Sequence, residues 1–337
     1  MSHSQRLTTQ AVRIAIGVAA GAVIVLGLAL LLSIDRYGSV TPDGVTYVAA
    51  TDRWLDGEAV YTPMQQTPYA LTEASWGKGF VYPPTALPAV ALFGVVGAEA
   101  WRVLNLAVLL VVALLIVRLE RKGLSITAAL VTSAYVVINP FVWSAWANAQ
   151  ITPLLVALMG VGYVYPRAAG LLGAVGALVK VYPGAMLVWA YRENGWKGVL
   201  GGLLAGALLV AATWPFVGHE WVNFLAAASN AYPSCDVGWP DSIQCMVGES
   251  YGTLAALAIG GGCVLLALFI RQRSVAFAFL MFGAMLASPD LNWAYWILPS
   301  IGLLPALARL IPARQPPTII DVDRNAEPMA AATGRGR

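Results

Sequence analysis

The chain has 337 residues, of which 59% are hydrophobic and only 11% charged, and its mean hydropathy is +0.71. That balance excludes an ordinary water-soluble core and points to a polytopic helical membrane protein. Twenty bases against 17 acids leave a net charge of +3, too small an excess for a nucleic-acid surface, and no stripe of alternating basic and aromatic residues supports one.

In chain order, the first apolar run, 13–34, is too long for the apolar region of a secretory signal and is not followed by a small-x-small cleavage site, so it reads as an uncleaved span. TPDGVTYVAA, 41–50, follows. Pro42-Asp43-Gly44 is turn chemistry, and Asp43 is placed to cap a helix starting near Val45. Arg53 lies on that amphipathic stretch, within reach of Asp52 or Asp56. The run 83–97, PPTALPAVALFGVVG, is short and carries three prolines, which suits a helix lying along or dipping into the membrane surface. Runs 99–119, 125–143 and 151–165 read as spans, and 168–191 as a hairpin of two short helices reversing near LVKVYPG. Runs 198–217, 251–270, 274–288 and 293–311 complete the set. Beyond Pro312 the chain is rich in Pro, Ala and charge without an apolar period, the composition of a disordered tail.

Lys and Arg in short loops set orientation. The bases at Arg6 and Arg13, at Arg118, Arg121 and Lys122, at Arg167, at Arg192 and Lys197, at Arg271 and Arg273, and from Arg309 onward share one side if 83–97 does not cross and 168–191 doubles back. This threading predicts an all-α polytopic bundle of about ten transmembrane helices in the plasma membrane, with both termini cytoplasmic. A single domain covers 1–311, with extracytoplasmic loops at 35–98, bearing surface helices, and at 218–250, and a cytoplasmic tail at 312–337. In the competing threading 83–97 crosses, 168–191 crosses once, and 118–123 falls outside, against the charge rule. Cys235 and Cys245 lie in the polar second loop, placed to pair as a disulfide, whereas Cys263 lies in an apolar run.

Five bases remain on the far side: Arg36, Arg53, Lys78, Arg102 and Lys180. Arg36 reads as an interfacial anchor, and Arg102 as the i,i+3 partner of Glu99 at a helix start. Lys180 stands out because an ammonium inside an apolar run costs roughly 2.5–3.5 kcal/mol on the insertion scale unless it snorkels or meets an anion. Pro183 breaks the helix beside it, and irregular backbone at membrane depth is tolerated where it lines a cavity. Lys78, flanked by glycines in WGKGF, enters from the first loop and can converge on the same place. Cations beside an apolar surface suit an amphiphilic anion such as a lipid phosphate.

PDGVTYVAATDRWLDGEAVY, FVYPPTALPAVALF, ANAQITPLLVAL, LLGAVGALVKVYP and SPDLNWAYWILP occur in that order. The ordered set resembles the polyprenyl-phosphate-sugar-dependent glycosyltransferases of the GT-C fold, specifically glycosyltransferase family 87, which includes actinobacterial mannosyl- and arabinofuranosyltransferases. The resemblance implies a large extracytoplasmic loop after the first span and an Asp near its start as catalytic base, a position held here by Asp43. Tyr82-Pro83-Pro84 matches a Tyr-Pro-Pro element, and Lys180, Tyr182 and Pro183 match a Lys-x-Tyr-Pro element whose base holds the carrier phosphate. Two departures stand out. The usual Gly-Gln-x-Asn reads Ala149-Gln150-Ile151-Thr152, leaving a polar role to Gln150 alone. Ser288-Pro289 is followed by Asp290, Asn292 and Trp293 with no His, which bears on the acceptor.

Sugar transfer from a lipid phosphate needs a base for the acceptor hydroxyl and cations for the departing phosphate, which leaves without protonation. Asp43 is the expected base, and Lys180 with Lys78 or Arg102 the phosphate ligands. Tyr47, Tyr82, Gln150, Tyr182, Asp290 and Trp293 are the expected substrate contacts. One displacement with one base predicts inversion. The expected partners are the bilayer, a polyprenyl-phosphate sugar donor, mannose first and arabinofuranose next, and a glycolipid or cell-envelope glycan acceptor. His3 and His219 are far apart in sequence and no metal-ligand spacing occurs; no cofactor is implied, although Asp43 with a phosphate can recruit a divalent ion. The other reading is a lipid-linked-sugar translocator with Lys180 in a central anion site, for which an inverted repeat is expected and none is visible.

Overall fold

The computed structural model describes residues 3–34, 42–61, 80, 82–230, 246–247, 249–288 and 293–311, and every segment with regular structure among them is helical. α1 (His3–Ile34) precedes α2 (Pro42–Leu55), and a 3₁₀ turn at Pro84–Ala86 leads into α3 (Leu87–Glu120). α4 (Ile126–Val137), α5 (Pro140–Ala147) and α6 (Thr152–Val164) follow, then α7 (Ala169–Ala177), a 3₁₀ turn at Tyr182–Ala185, and α8 (Met186–Asn194). α9 (Trp196–Val217), α10 (Glu220–Asn230), α11 (Glu249–Leu266), α12 (Arg273–Leu286), a 3₁₀ turn at Trp293–Trp296 and α13 (Ile297–Leu310) complete the order. Lys78, Asp290, the proposed Cys235–Cys245 pair and the tail beyond 311 lie outside the described residues.

Among these, Gln10–Ser33, Pro84–Glu120 and Trp196–Val217 are long and apolar enough to cross a bilayer, and α4 with α5 forms a broken element bent by 54°. Thr152–Val164, Tyr251–Leu266, Arg273–Leu286 and Ala294–Leu310 are apolar but shorter. The chain is thus a polytopic membrane protein in which short and interrupted helices accompany a few full-length ones. α9 buries only Gly202 and Val217 of its 22 residues, while Leu200, Leu203, Leu204, Leu208 and Phe216 point outward. An apolar helix exposed on nearly every side is stable only in lipid.

Two local breaks interrupt the apolar runs. Within α3, Gly97 has φ 76° and ψ 164°, so the helix of 87–96 is separated from that of 98–120. Glycine adopts this left-handed angle without a Cβ penalty. The second break is at 178–181, between α7 and α8. A Cβ on Gly176 would lie 2.6 Å from the Pro183 Cβ, and one on Gly173 would lie 2.8 Å from the Met186 Cβ. Farther out, Asn194 Nδ2 donates to the Pro166 carbonyl at 2.7 Å. These pairs run in opposite senses along the two segments, which makes 168–191 an antiparallel hairpin with its tip at Leu178–Val181.

α1 and α4 pack side by side and in parallel, since Gly17 faces Leu130 and Gly27 faces Val137. Parallel packing puts the start of α1 and the loop 121–125 at one end of the bundle, an arrangement compatible with the charge-based threading. The same end carries a connected ionic set. Glu120 receives the Arg309 guanidinium at 2.7 Å and the Tyr163 hydroxyl, and Arg273 reaches Glu193 at 3.2 Å and the Tyr163 carbonyl. Arg192 donates to the carbonyls of Ala267 and Arg271, and Arg121 to that of Ile311. A network that joins several helix ends fixes them where an isolated surface pair would contribute little. Close helix approach is visible at Gly202, whose Cβ would meet the Gly170 carbonyl oxygen at 2.6 Å, whereas Gly201 faces open space.

Candidate functional site

The other end of the bundle gathers most of the expected site residues. α2 begins at Pro42, so Asp43 lies in its first turn and not at the cap position expected near Val45. Proline suits the first helical position, where an N–H would be unsatisfied, and a carboxylate in the first turn is favoured by the helix dipole. α2 therefore presents Asp43 and, one turn on, Tyr47, on neighbouring parts of its surface. Asp43 is half-buried and Tyr47 fully so. The pairing expected for Arg53 is absent among the described residues: the guanidinium is half-buried and two of its nitrogens are buried without hydrogen bonds.

The Tyr47 and Tyr82 hydroxyls are hydrogen-bonded at 2.8 Å, and the Ile151 N–H donates to the Tyr47 oxygen at 3.3 Å. Burial raises the pKa of Tyr47 well above the phenol range and the Asp43 charge adds to it. Burial does the same for Tyr82, with Tyr47 and then Asp43 contributing. Both phenols are thus neutral hydrogen-bonding groups within electrostatic reach of the Asp43 carboxylate. Tyr61 donates to the Tyr82 carbonyl at 2.5 Å, and Thr85 to the Leu178 carbonyl at 2.5 Å. The second contact ties the Tyr-Pro-Pro element directly to the hairpin tip.

That tip carries Lys180, held in a non-helical turn by its N–H to the Gly176 carbonyl at 2.8 Å. Its Nζ lies 5.0 Å from the Tyr82 ring centroid and 4.5 Å from that of Tyr295, within cation–π range of both faces. It makes no ion pair with a described carboxylate. Tyr182 is buried two residues on, edge-on to Tyr295 at 5.6 Å. Gln150 is buried, and its side-chain oxygen accepts from the Thr152 hydroxyl at 3.3 Å.

Ala149 shows why the Gly-Gln element matters. Its φ of 50° is left-handed, and Ala149 N–H to Trp146 and Gln150 N–H to Ala145 close the helix in a Schellman arrangement. This position asks for glycine, and alanine occupies it under strain. Ala149→Gly relieves that strain but loses a buried methyl worth about 0.8 kcal/mol, so stability is expected to stay within about 1 kcal/mol of wild type. Ala149→Val puts a β-branched side chain at positive φ in a packed site, and should cost about 3 kcal/mol by thermal unfolding in detergent.

Arg102 is 2% exposed; it forms an i,i+3 pair with Glu99 at 3.0 Å within α3 and donates to the Ala147 carbonyl at 3.2 Å, which ties α3 to the end of α5. Trp293 lies in the 3₁₀ turn of 293–296, the element that supplies Tyr295. Two residues missed in the sequence reading complete this end. Tyr295 was one ring among many in an aromatic-rich segment. Glu220, fully buried at the start of α10, accepts from the Val60 N–H at 3.1 Å and from Asn223 at 3.2 Å, joining the two polar loops. Trp54 reinforces the junction by donating to the Phe216 carbonyl at 3.1 Å.

Neither the curated proteins nor the solved structures include a significant match to the chain. The family model for glycosyltransferase family 87 matches residues 80–308, a segment holding Tyr82, Arg102, Gln150, Lys180, Tyr182 and Tyr295, with Asp43 and Tyr47 on its N-terminal side. With well over half its length matched, and with the Tyr-Pro-Pro and Lys-x-Tyr-Pro elements in direct contact, the chain belongs to glycosyltransferase family 87.

Proposed function

We propose that this glycosyltransferase moves a sugar, mannose in the first instance, from a polyprenyl-phosphate donor to a hydroxyl of a glycolipid or envelope glycan, with inversion, on the extracytoplasmic face of the plasma membrane. The observation that carries the donor class is Lys180: an ammonium at the tip of a broken, membrane-embedded hairpin, flanked by neutral rings and without a described carboxylate. Such a charge is stable when an anion meets it, and a lipid phosphate reaches that depth. The opposite bundle end, with its many Arg and Lys side chains, is the cytoplasmic side by the charge rule.

In this mechanism Asp43 accepts the proton of the acceptor hydroxyl as that oxygen bonds to the anomeric carbon. The bond from that carbon to the phosphate oxygen breaks, and its electron pair leaves with the phosphate. The phosphodiester monoanion becomes a phosphomonoester dianion, so negative charge grows beside Lys180 as the reaction proceeds. Stabilisation that increases toward the transition state is what accelerates a reaction. Arg102 is engaged by Glu99 and Ala147 and acts as scaffold, leaving Lys180 with Lys78 as the proposed phosphate ligands. Gln150, Asp290 and Trp293 are proposed around the sugars, with Tyr182 as a further contact to the donor.

Purified protein in nanodiscs, given polyprenyl-phosphate mannose and a membrane glycolipid acceptor, should release polyprenyl phosphate and form a mannosylated lipid of inverted anomeric configuration. Turnover only with nucleotide-sugar donors, or a product of retained configuration, would refute the reading.

A further inference from the structure

An ammonium can be held in a low-dielectric site by a carboxylate or by π faces, and the consequences differ. A carboxylate neutralises it and competes with any incoming anion. Aromatic faces offset desolvation through the ring quadrupole while the charge and the N–H donors stay available. Lys180 has two such faces, Tyr82 at 5.0 Å and Tyr295 at 4.5 Å, and both residues are nearly fully buried, at 5% and 2% exposure. They come from distant parts of the chain, the end of the first loop and the last 3₁₀ turn, so the ammonium is gripped by the tertiary fold.

Next to this sandwich the Tyr182 hydroxyl is buried with no well-formed hydrogen bond among the described residues, the Thr152 hydroxyl standing beside it. Thr152 itself donates to Gln150 at 3.3 Å. A buried hydroxyl left unsatisfied costs about 1–3 kcal/mol, a cost removed when an acceptor oxygen arrives. The edge contact of Tyr182 with Tyr295 places that hydroxyl's ring and the ammonium on the same aromatic partner.

We infer that Tyr295, with Tyr82, is a positioning residue that aims the Lys180 ammonium at the carrier phosphate, and that the Tyr182 hydroxyl is a second donor to the same phosphate. This rests on the proposed donor class and deepens it. The rings hold the cation in place, and Lys180 and Tyr182 touch the ligand.

The test is binding of polyprenyl phosphate to the full chain in nanodiscs, which reads the subsite without catalysis. Tyr295→Phe keeps the ring and should bind within twofold of wild type. Tyr295→Leu should weaken binding by about 5- to 30-fold, the range of a partly desolvated cation–π contact. Tyr182→Phe should weaken it by about tenfold or more, as for loss of a hydrogen bond to a charged group. In a Lys180→Met background Tyr295→Leu should add nothing further, because the residue acts through the ammonium. An equal loss in that background, or no loss in Tyr295→Leu, overturns the role of Tyr295, and unchanged binding by Tyr182→Phe removes Tyr182 from the subsite. Wild type that binds no polyprenyl phosphate overturns both this assignment and the donor reading. Wild-type binding with an unaffected Tyr295→Leu overturns this assignment alone.

Discussion

Asp43→Asn should lower kcat by about 10²–10⁴-fold, the usual worth of a positioned general base, while polyprenyl-phosphate binding stays within a few-fold of wild type. The amide has the shape of the carboxylate and retains an acceptor oxygen, so any hydrogen-bonding role in the first turn of α2 is largely preserved. Proton abstraction is not. A purely structural Asp43 predicts the opposite: some loss of thermal stability, because a first-turn carboxylate contributes about 0.3–1 kcal/mol through the helix dipole, with turnover per folded molecule nearly intact. The Tyr47–Tyr82 pair sharpens the comparison. Both phenols are pushed well above their ordinary range, by burial first, with the Asp43 charge contributing to each, so neither is a substitute base near neutral pH. Measuring kcat and melting midpoint on the same preparations separates the readings. Full turnover by Asp43→Asn would remove Asp43 from the chemistry.

Much of this arrangement was legible because the bilayer penalises irregularity. A lysine and a proline three residues apart inside an apolar run demand an explanation, and the hairpin reversing at Leu178–Val181 supplies it. The same reasoning separated 83–97 from the following span, and the structure places the break at Gly97. The helix count was less legible. Runs such as 151–165 and 274–288 have the composition of spans, but the helices they form are short, and hydropathy alone does not say how a short helix sits in a bilayer. Arg53 shows the limit of pairing by spacing: Asp52 and Asp56 were near in sequence, yet neither meets it. Tyr295 and Glu220 were hidden for different reasons. In WAYW every ring is explained equally well by an interfacial belt, so only tertiary contact with Lys180 singles one out. Glu220 looked like an ordinary loop acid, and its role depends on a backbone N–H 160 residues away in sequence. Ala149 was legible in part: the departure from glycine was visible, whereas the left-handed angle that gives it a cost was not.

Lys180→Met is expected to move activity and stability in opposite directions. Loss of a charge-assisted contact of about 1.5–3 kcal/mol raises the KM for the donor by roughly 10- to 150-fold. kcat should fall as well, because the departing phosphate gains a negative charge during the reaction and Lys180 faces that change. Without donor, the balance reverses. An ammonium at membrane depth costs roughly 2.5–3.5 kcal/mol on the insertion scale, of which two cation–π contacts recover only part, so an apolar side chain of similar length should raise the melting midpoint. Such a trade between stability and activity marks a group retained for its ligand. Lys180→Arg keeps the charge but replaces a compact ammonium by a larger planar fork whose donors lie at different positions, so an intermediate KM is expected. A lysine that only packs or snorkels predicts the reverse pattern for Met, lower stability with an unchanged donor KM. Thermal unfolding with and without polyprenyl phosphate, beside steady-state kinetics, distinguishes the two: ligand should raise the wild-type midpoint and leave that of Lys180→Met nearly unchanged.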